Sequence, residues 1–280
     1  MAERVHVIAA TGRSGLALCA ALQAHGITAV AVVRDAAKAA ALGLAEARVA
    51  DLANPPALAA ALADATHVVC TAHARHAAAV IAAAPPAARL VLMGSTRRFS
   101  KWPDAHGSGV IAGEAAFLAS GRQGVMLHPT MIYGAEGENN VRRLVAVMRR
   151  LPLLPLPAGG RNLVQPIHQD DVTACLRAAI ARPWPGPCTA IIAGPRPVTY
   201  ADFVRAVAAA AGLKPPRILP VPAWLLMAAS PLTLLPILPR IRPAEIRRLL
   251  EDKDFPQAET TTTLGVTPMG LEEGLARSFA

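Results

Sequence analysis

The chain has 280 residues, 53% apolar and 17% charged, enough to bury a sizeable core as one large α/β domain or as a domain with a smaller appendage. Its opening, MAERVHVIAATG, lacks the basic head, unbroken apolar stretch and cleavage site of a secretory signal, and Cys19, Cys70, Cys175 and Cys188 show no CxxC spacing; reduced thiols in a cytoplasm are expected, with no metal site. A formal net charge of +9, with arginines clustered at 142–143, 149–150, 240–242 and 247–248, suits a phosphate or anionic-lipid contact, but without zinc-finger spacing or an aromatic–basic signature it does not point to nucleic acid.

In chain order, RVHVIAA, ITAVAVV, ARVA, THVVC, RLVLM and GVMLHP predict six strands starting near 4, 27, 47, 66, 89 and 124. Residues 14–25, 36–44, 55–63, 73–84 and 108–120 predict helices between them. Apolar runs without polar alternation suit strands buried on both faces, and strand–helix repetition calls for a parallel sheet. The expected fold class is therefore α/β, a doubly wound parallel sheet with a smaller, mainly C-terminal substrate domain.

Residues 141–150 predict a basic helix, which LPLLPLPAGG then interrupts. VQPIHQDDV and the helix TACLRAAIA return to the first domain, with Asp170 and Asp171 as a helix cap at the junction; TAIIAG supplies another strand. PVTYADFVRAVAAAAGL predicts a helix started by Thr199. The expected boundaries are 1–195 for the dinucleotide-binding domain, with 135–165 excursing to the substrate side, and 196–280 for the smaller domain. The run VPAWLLMAASPLTLLPILP (221–239) is apolar, but Pro231, Pro236 and Pro239 argue against a membrane span. A pocket wall, a subunit contact or a shallow peripheral membrane contact remain as readings.

The strongest motif is IAATGRSGLAL (8–18). Ala9, Gly12 and Gly15 occupy the three positions of a glycine-rich turn between a strand and a helix, where glycines permit the turn, the approach of a pyrophosphate and close helix–strand packing. Alanine at the first position leaves the turn intact if its φ is negative. Thr11, Gly12, Arg13, Ser14 and Gly15 are then the phosphate-binding residues, at the positive end of a helix. Arg34, just past the second strand, stands where many dinucleotide folds place an acid for the ribose of NAD; an arginine there suits the 2′-phosphate of NADP, with Arg13 opposite. NADP is the expected cofactor and NAD the alternative. Asp35 either caps the following helix or approaches the ribose.

IAATGRSG, AVVRDAAKAAAL, ADL (50–52), GSTRRFS, GEAAFLASG, LHPTMIYG, QPIHQDDV and AGPRPVTYADF follow one another in an order that resembles the extended and atypical short-chain dehydrogenase/reductase superfamily, a Rossmann fold, especially its NmrA-like and complex I assembly-subunit-like branches. The resemblance covers residues 5 to about 215. It implies that Asp51 and Leu52 lie near adenine, that Thr71 and Ala72 line the cofactor, that Ser95 marks the active-site end of strand five, and that His128 lies near the nicotinamide. Active members carry a tyrosine and, four residues on, a lysine. Counting back from Glu114 puts His106 and Val110 at those positions. His106 and Ser95 are the candidate catalytic residues. Tyr133 is expected to pack at the domain junction.

Two functions follow. One is an NADP-dependent oxidoreductase reducing a small apolar carbonyl, enone or quinone. The other is a catalytically silent nucleotide-binding sensor or assembly protein with a protein partner. Nucleotide-sugar epimerase or dehydratase chemistry is a weaker third, because it too leans on the absent Tyr-Lys pair. Residues 97–107 are either a lid or a fixed loop.

Overall fold

The computed structural model describes residues 4–102, 104–134, 139–151, 153–230 and 243–279. The first half alternates as the apolar runs predict: β1 (Val5–Ile8), α1 (Arg13–Ala24), β2 (Ala29–Val33), α2 (Ala36–Ala41), β3 (Ala47–Val49), α3 (Pro55–Leu62), β4 (His67–Cys70), α4 (Ala77–Ala83), β5 (Arg89–Met93), α5 (Ala105–Ala119) and β6 (Gly124–Pro129). A 3-10 turn, Ala74–His76, precedes α4, and a second, Thr96–Phe99, follows β5. The second half runs β7 (Met131–Tyr133), α6 (Asn139–Arg150), β8 (Leu153–Pro157), β9 (Leu163–Val164), β10 (Pro166–His168), α7 (Gln169–Ala181) and β11 (Pro187–Ile192). It ends with β12 (Val198–Thr199), α8 (Tyr200–Ala210), β13 (Arg217–Val221), α9 (Ala223–Ala229), α10 (Pro243–Arg248) and α11 (Leu271–Phe279).

Seven strands form one parallel sheet in the order β11-β6-β5-β4-β1-β2-β3. The chain reverses direction across the sheet between β1 and β4, so a crevice opens beyond the carboxyl ends of those strands, the place where open α/β sheets hold ligands. Every residue of β1, β4 and β6 is buried, because helices cover both faces. Leu18 and Leu22 of α1 pack with Leu176 and Ile180 of α7 on one face. Leu58, Leu62, Val80, Val110 and Phe117 from α3, α4 and α5 fill the other.

A separate core joins α6 and α8 with β7 and β8, built on Tyr133, Val141, Leu144, Met148, Leu154, Phe203, Val207 and Leu275. The arginines of α6 thus lie opposite a buried apolar stripe. Residues 153–157, expected only to break α6, form β8 and pair in parallel with β13. Prolines are tolerated here because a two-stranded sheet has only edges. Thr199 caps α8 as expected, accepting from the Asp202 amide at 3.0 Å. Residues 196–280 contribute to both cores. Phe255 donates its amide to Gln165 at 2.7 Å, and Thr260 accepts from Ala193 at 3.1 Å beside β11.

The cap expected from Asp170 and Asp171 belongs instead to His168, whose Nδ1 accepts from the Asp170 amide at 3.2 Å. Asp171 accepts from the Met269 amide at 3.1 Å and so ties α7 to the approach to α11. Tyr133 packs at this junction, its ring 5.2 Å from that of His168, and a Cβ at Gly274 would lie 2.1 Å from its hydroxyl oxygen. Of the apolar run 221–239, α9 buries none of its residues and leaves Trp224 67% exposed; positions 231–239, with the three prolines, lie outside the described residues. Among the described residues no helix is long and apolar enough to cross a membrane.

Candidate cofactor crevice and proton-transfer corner

The turn from β1 into α1 is closed by the Gly12 amide donating to the Ala9 carbonyl at 2.9 Å. Ala9 takes φ +61°. The turn therefore survives with a positive φ, contrary to the expectation that alanine would require a negative one; an L-residue there stores about 1–2 kcal/mol of strain. Gly12, the N-cap of α1, has φ −80° and is exposed; a Cβ there would lie 3.1 Å from the Ala9 oxygen, a tight contact on one side with the other side open. Gly15 is different. A Cβ there would lie 2.5 Å from the Ala9 oxygen, 2.8 Å from Ala10 Cα and 2.9 Å from Thr71 Oγ1. Only glycine lets α1 approach the strand so closely.

Among the described residues no side chain caps α1, and no acidic residue stands in its first turn. By contrast α2, α3, α5, α7 and α8 each begin on a side chain that accepts from their first turn, namely Asp35, Asn54, Asp104, His168 and Thr199. The α1 start thus leaves amide hydrogens at a positive dipole end for an outside anion. Arg13 is exposed at this start and Arg34 is exposed at the end of β2. Asp35 accepts from the Lys38 amide at 3.0 Å and is committed to its cap. Asp51 accepts from the Ala53 amide at 2.8 Å, and Leu52 packs on the α3 side of the core. Thr71 donates to the Ile8 carbonyl at 3.0 Å, bracing the bend, while Ala72 follows it, half-buried. The Ser14 hydroxyl donates to Gln169 Oε1 at 3.0 Å, so its proton is already spent on joining α1 to α7. Thr11, half-buried, completes the turn.

The carboxyl ends of β5 and β6 meet at His128. Its ring is 1% exposed, Nδ1 accepts from the Ser95 amide at 3.1 Å, and Nε2 lies 3.0 Å from Glu114 Oε2. Arg98 Nε lies 2.9 Å from the same oxygen, though neither N–H points along a hydrogen-bond direction. Burial, aided by Arg98, pushes His128 down to about 4, and burial raises Glu114 against the pull of Arg98. His128 is thus a neutral packing and positioning group, its ring facing a Gly94 whose Cβ would lie 2.3 Å away. Ser95 Oγ accepts from the Arg97 amide at 3.2 Å and keeps its own proton, whereas Thr96 donates its proton to the Pro129 carbonyl at 3.1 Å.

His106, in the first turn of α5, is half-buried and meets His73 edge-on, ring centroids 4.2 Å apart and planes at 84°. His73 was not foreseen from sequence. It lies just beyond Thr71 and Ala72, and its Nδ1 accepts from the Arg75 amide at 3.0 Å, which leaves the ring proton on Nε2, a buried atom with no hydrogen-bond partner among the described residues. A Cβ at Gly109 would lie 3.0 Å from the His73 ring, so the missing side chain lets the two histidines meet. Burial, His106 and Arg75 push His73 down to about 4; burial and Arg97 lower His106, against Asp104. Val110, at the position of the family's lysine, is 1% exposed and packs in the core.

The 97–107 loop is tied across to the second half. Ser100 Oγ and the Lys101 amide donate to Glu251 at 2.9 and 2.7 Å. Phe99 packs 5.7 Å from Phe255, and the Arg247 guanidinium lies over Trp102. Asp104 caps α5 through the Gly107 amide at 2.7 Å, pairs with Arg97, and has Arg248 of α10 at 3.6 Å. Among the described residues no group of histidines, cysteines or acids is placed to hold a metal.

Residues 9–124 match the NAD(P)H-binding family. No curated protein matches the chain. Among solved structures, an NADPH-dependent quinone oxidoreductase from Escherichia coli in complex with NADPH is 20% identical over 99% of this chain and 100% of that one, with a TM-score of 0.78. A nucleoside-diphosphate-sugar epimerase from Staphylococcus aureus is 17% identical over 98% and 99%, TM-score 0.76. A short-chain dehydrogenase/reductase superfamily protein from Agrobacterium tumefaciens with bound NAD is 15% identical over 99% and 96%, TM-score 0.73. The uncapped α1 start, the close approach at Gly15 and the crevice at the strand reversal all fit a dinucleotide. The chain therefore carries an NAD(P)H-binding domain at residues 9–124, within the fold shared by atypical short-chain dehydrogenase/reductases and nucleotide-sugar epimerases.

Proposed function

We propose that the protein is an NADP-linked oxidoreductase acting on a small carbonyl, enone or quinone, with His106 exchanging the proton. When bound, the cofactor supplies or accepts hydride at its nicotinamide. The observation that carries this reading is His106 itself: a half-buried imidazole at the helix position where relatives of this type place their phenol, braced edge-on by His73. Arg13 and Arg34, exposed at the α1 start and the β2 end, supply the charge an extra 2′-phosphate needs. Because burial and Arg97 lower His106, its imidazole is neutral at pH 7, suited to taking a proton from an alcohol or to donating a hydrogen bond to a carbonyl. Ser95 keeps its hydroxyl proton for the same oxygen. The likeness to the quinone oxidoreductase supports this substrate class. Reduced, isolated cysteines suit a cytoplasmic setting.

A second reading is favoured by Val110. With an apolar side chain buried where a lysine would hold the nicotinamide ribose, the nucleotide becomes a regulatory ligand and the protein a sensor or assembly partner. NADPH oxidation against quinones, aldehydes and enones separates the two. Turnover that falls about 10²-fold or more in His106→Ala, at unchanged NADPH affinity, supports the enzyme. Saturable NADPH binding with no turnover across the panel supports the sensor.

A further inference from the structure

The charges around His73 and His106 do not balance. Arg75 follows His73 in the 3-10 turn after β4, Arg97 comes from the loop after β5, and Arg248 comes from the end of α10; all three depress His106. At His106 the carboxylate that opposes them is Asp104. Asp104 pairs with Arg97 and lies 3.6 Å from Arg248. The other cations of this corner are accounted for: Arg98 lies against Glu114, Arg247 over Trp102, and Lys253 on Glu251 at 3.1 Å. Arg75 is exposed and has no carboxylate partner among the described residues. Arg97 and Arg248 thus meet on Asp104, and Arg75 stands beside Gly109, one turn along α5 from His106; Glu245 and Glu251 also act on Arg248 but already face Arg143 and Lys253, and His73 adds a buried Nε2–H without an acceptor among the described residues. Such a corner is expensive to assemble unless something negative completes it.

We infer that the substrate carries an oxyanion, a carboxylate or a phosphate, which seats on Arg75, Arg97 and Arg248 beside His106. This deepens the proposed oxidoreductase reading and rests on it for the role of His106. A guanidinium fork fits a planar carboxylate or a phosphate edge bidentately, so the anion fixes where the substrate's carbonyl lies relative to the imidazole. It also acts on the histidine. Burial, and after it the three arginines, lower the affinity of His106 for a proton; an anion among the arginines offsets their part, so His106 takes up a proton more readily when substrate is present. The proton donor is then assembled by the molecule that needs it. Arg248 belongs to α10 and Arg97 to the loop after β5, so an anion bridging them also joins the two halves of the crevice, alongside Glu251 and its bonds to Ser100 and Lys101.

The test uses the full chain saturated with NADP+, so that the α1 start is already filled. His106 and His73 ring signals are titrated by NMR with inorganic phosphate and, separately, with malonate. The expected result is saturable binding of at least one of the two that raises the His106 midpoint, weakened at least tenfold in Arg75→Gln and in Arg248→Gln and restored in part by Arg75→Lys. Phosphate alone points to a phosphorylated substrate and malonate alone to an acid. Unchanged His106 midpoints with both anions, or equal affinity in the wild type and in the two glutamine variants, overturns the inference. His106→Ala distinguishes the two levels. Anion binding retained with turnover unaffected removes the proton role and leaves the anion site standing; turnover lost in that variant while neither anion moves His106 in the wild type removes the anion site and leaves the proton role. Arg75→Gln is the cleaner variant, because Arg97 also holds the acid that caps α5.

Discussion

The start of α1 and the start of α5 are built from the same parts and do opposite things with them. Both follow a strand of the main sheet and both bring a helix N-terminus to the crevice. At α1 the cap is a glycine, and among the described residues no side chain takes up the first-turn amides and neither Arg13 nor Arg34 forms an ion pair, Asp35 being turned to its own helix cap. At α5, Asp104 accepts from Gly107, pairs with Arg97 and draws Arg248 across from the second half. One helix start is left open for an outside anion, and the other is closed by the chain's own carboxylate and surrounded by histidines. The difference teaches that binding the nucleotide and acting through it are separately encoded: the first needs bare backbone and glycine, the second needs side chains converging from distant positions.

The largest expected effect lies near the closed corner. His128, buried against Glu114 and Arg98, is lowered from its ordinary 6.5 to about 4. An unfolded histidine therefore binds its proton at a higher pH than the folded one, and the unfolded state holds more protons between those values. The stability that comes with neutral His128 is present in full above about pH 6.5 and is lost as pH falls toward and through 4. Over that span the loss amounts to about 3 kcal/mol. Chemical denaturation at a series of pH values should show this slope, and His128→Gln should flatten it by close to one proton. An unchanged slope in the variant would place the acid sensitivity elsewhere, with His6 the next buried candidate.

At the open start, Gly15→Ala tests the packing directly. The added methyl meets backbone atoms at 2.5 and 2.8 Å, which cannot rotate aside. A stability loss of about 2–3 kcal/mol is expected, with NADPH affinity falling alongside because the whole first turn must shift. Thermal unfolding with and without NADPH measures both. A variant as stable as the wild type would show that α1 can slide from β1 at little cost.

Smaller again is the effect of Arg34→Ala, about tenfold on NADPH binding and little on NADH, in keeping with one charge-assisted contact to a phosphate. Fluorescence titration of both cofactors gives the ratio. Equal losses would assign Arg34 to the surface and leave Arg13 as the residue that distinguishes the two.

How far the sequence speaks follows the same division. All seven strands of the main sheet were legible because each is a short apolar run set between helical stretches or turns, and the glycine spacing at 12 and 15 marked the crevice. β8 was not legible. Pro155 and Pro157 are strong interruption signals, and only its partner β13, which carries Pro220 and lies some 60 residues on, makes a strand of it. The partner of His106 was hidden for a similar reason. His73 meets it across an interval of 33 residues, through a gap that exists because Gly109 has no side chain. Arg248 reaches Asp104 from still farther. Local pattern reports what a segment does with its own neighbours; the α5 corner is made of contacts between segments.

Ala9 is where local rules and the fold disagree, and it offers the finest test. An alanine at φ +61° carries strain that glycine would not, yet glycine would also loosen the unfolded chain, offsetting about 0.4–1 kcal/mol. Set against a left-handed cost of about 1–2 kcal/mol, Ala9→Gly should stabilise the protein by about 0.5–1 kcal/mol, a rise of roughly 2 °C in Tm. The cofactor separates two causes of that gain. The turn is already closed by Gly12 donating to the Ala9 carbonyl, an interaction that glycine at 9 preserves, so relief of strain alone leaves the NADPH Kd within about twofold of the wild type. If the methyl instead crowds the pyrophosphate, the same variant binds about tenfold more tightly, a gain of about 1.4 kcal/mol. The expected outcome is the first, because the amides left for a phosphate belong to residues 13–15, beyond the bend in which Ala9 sits.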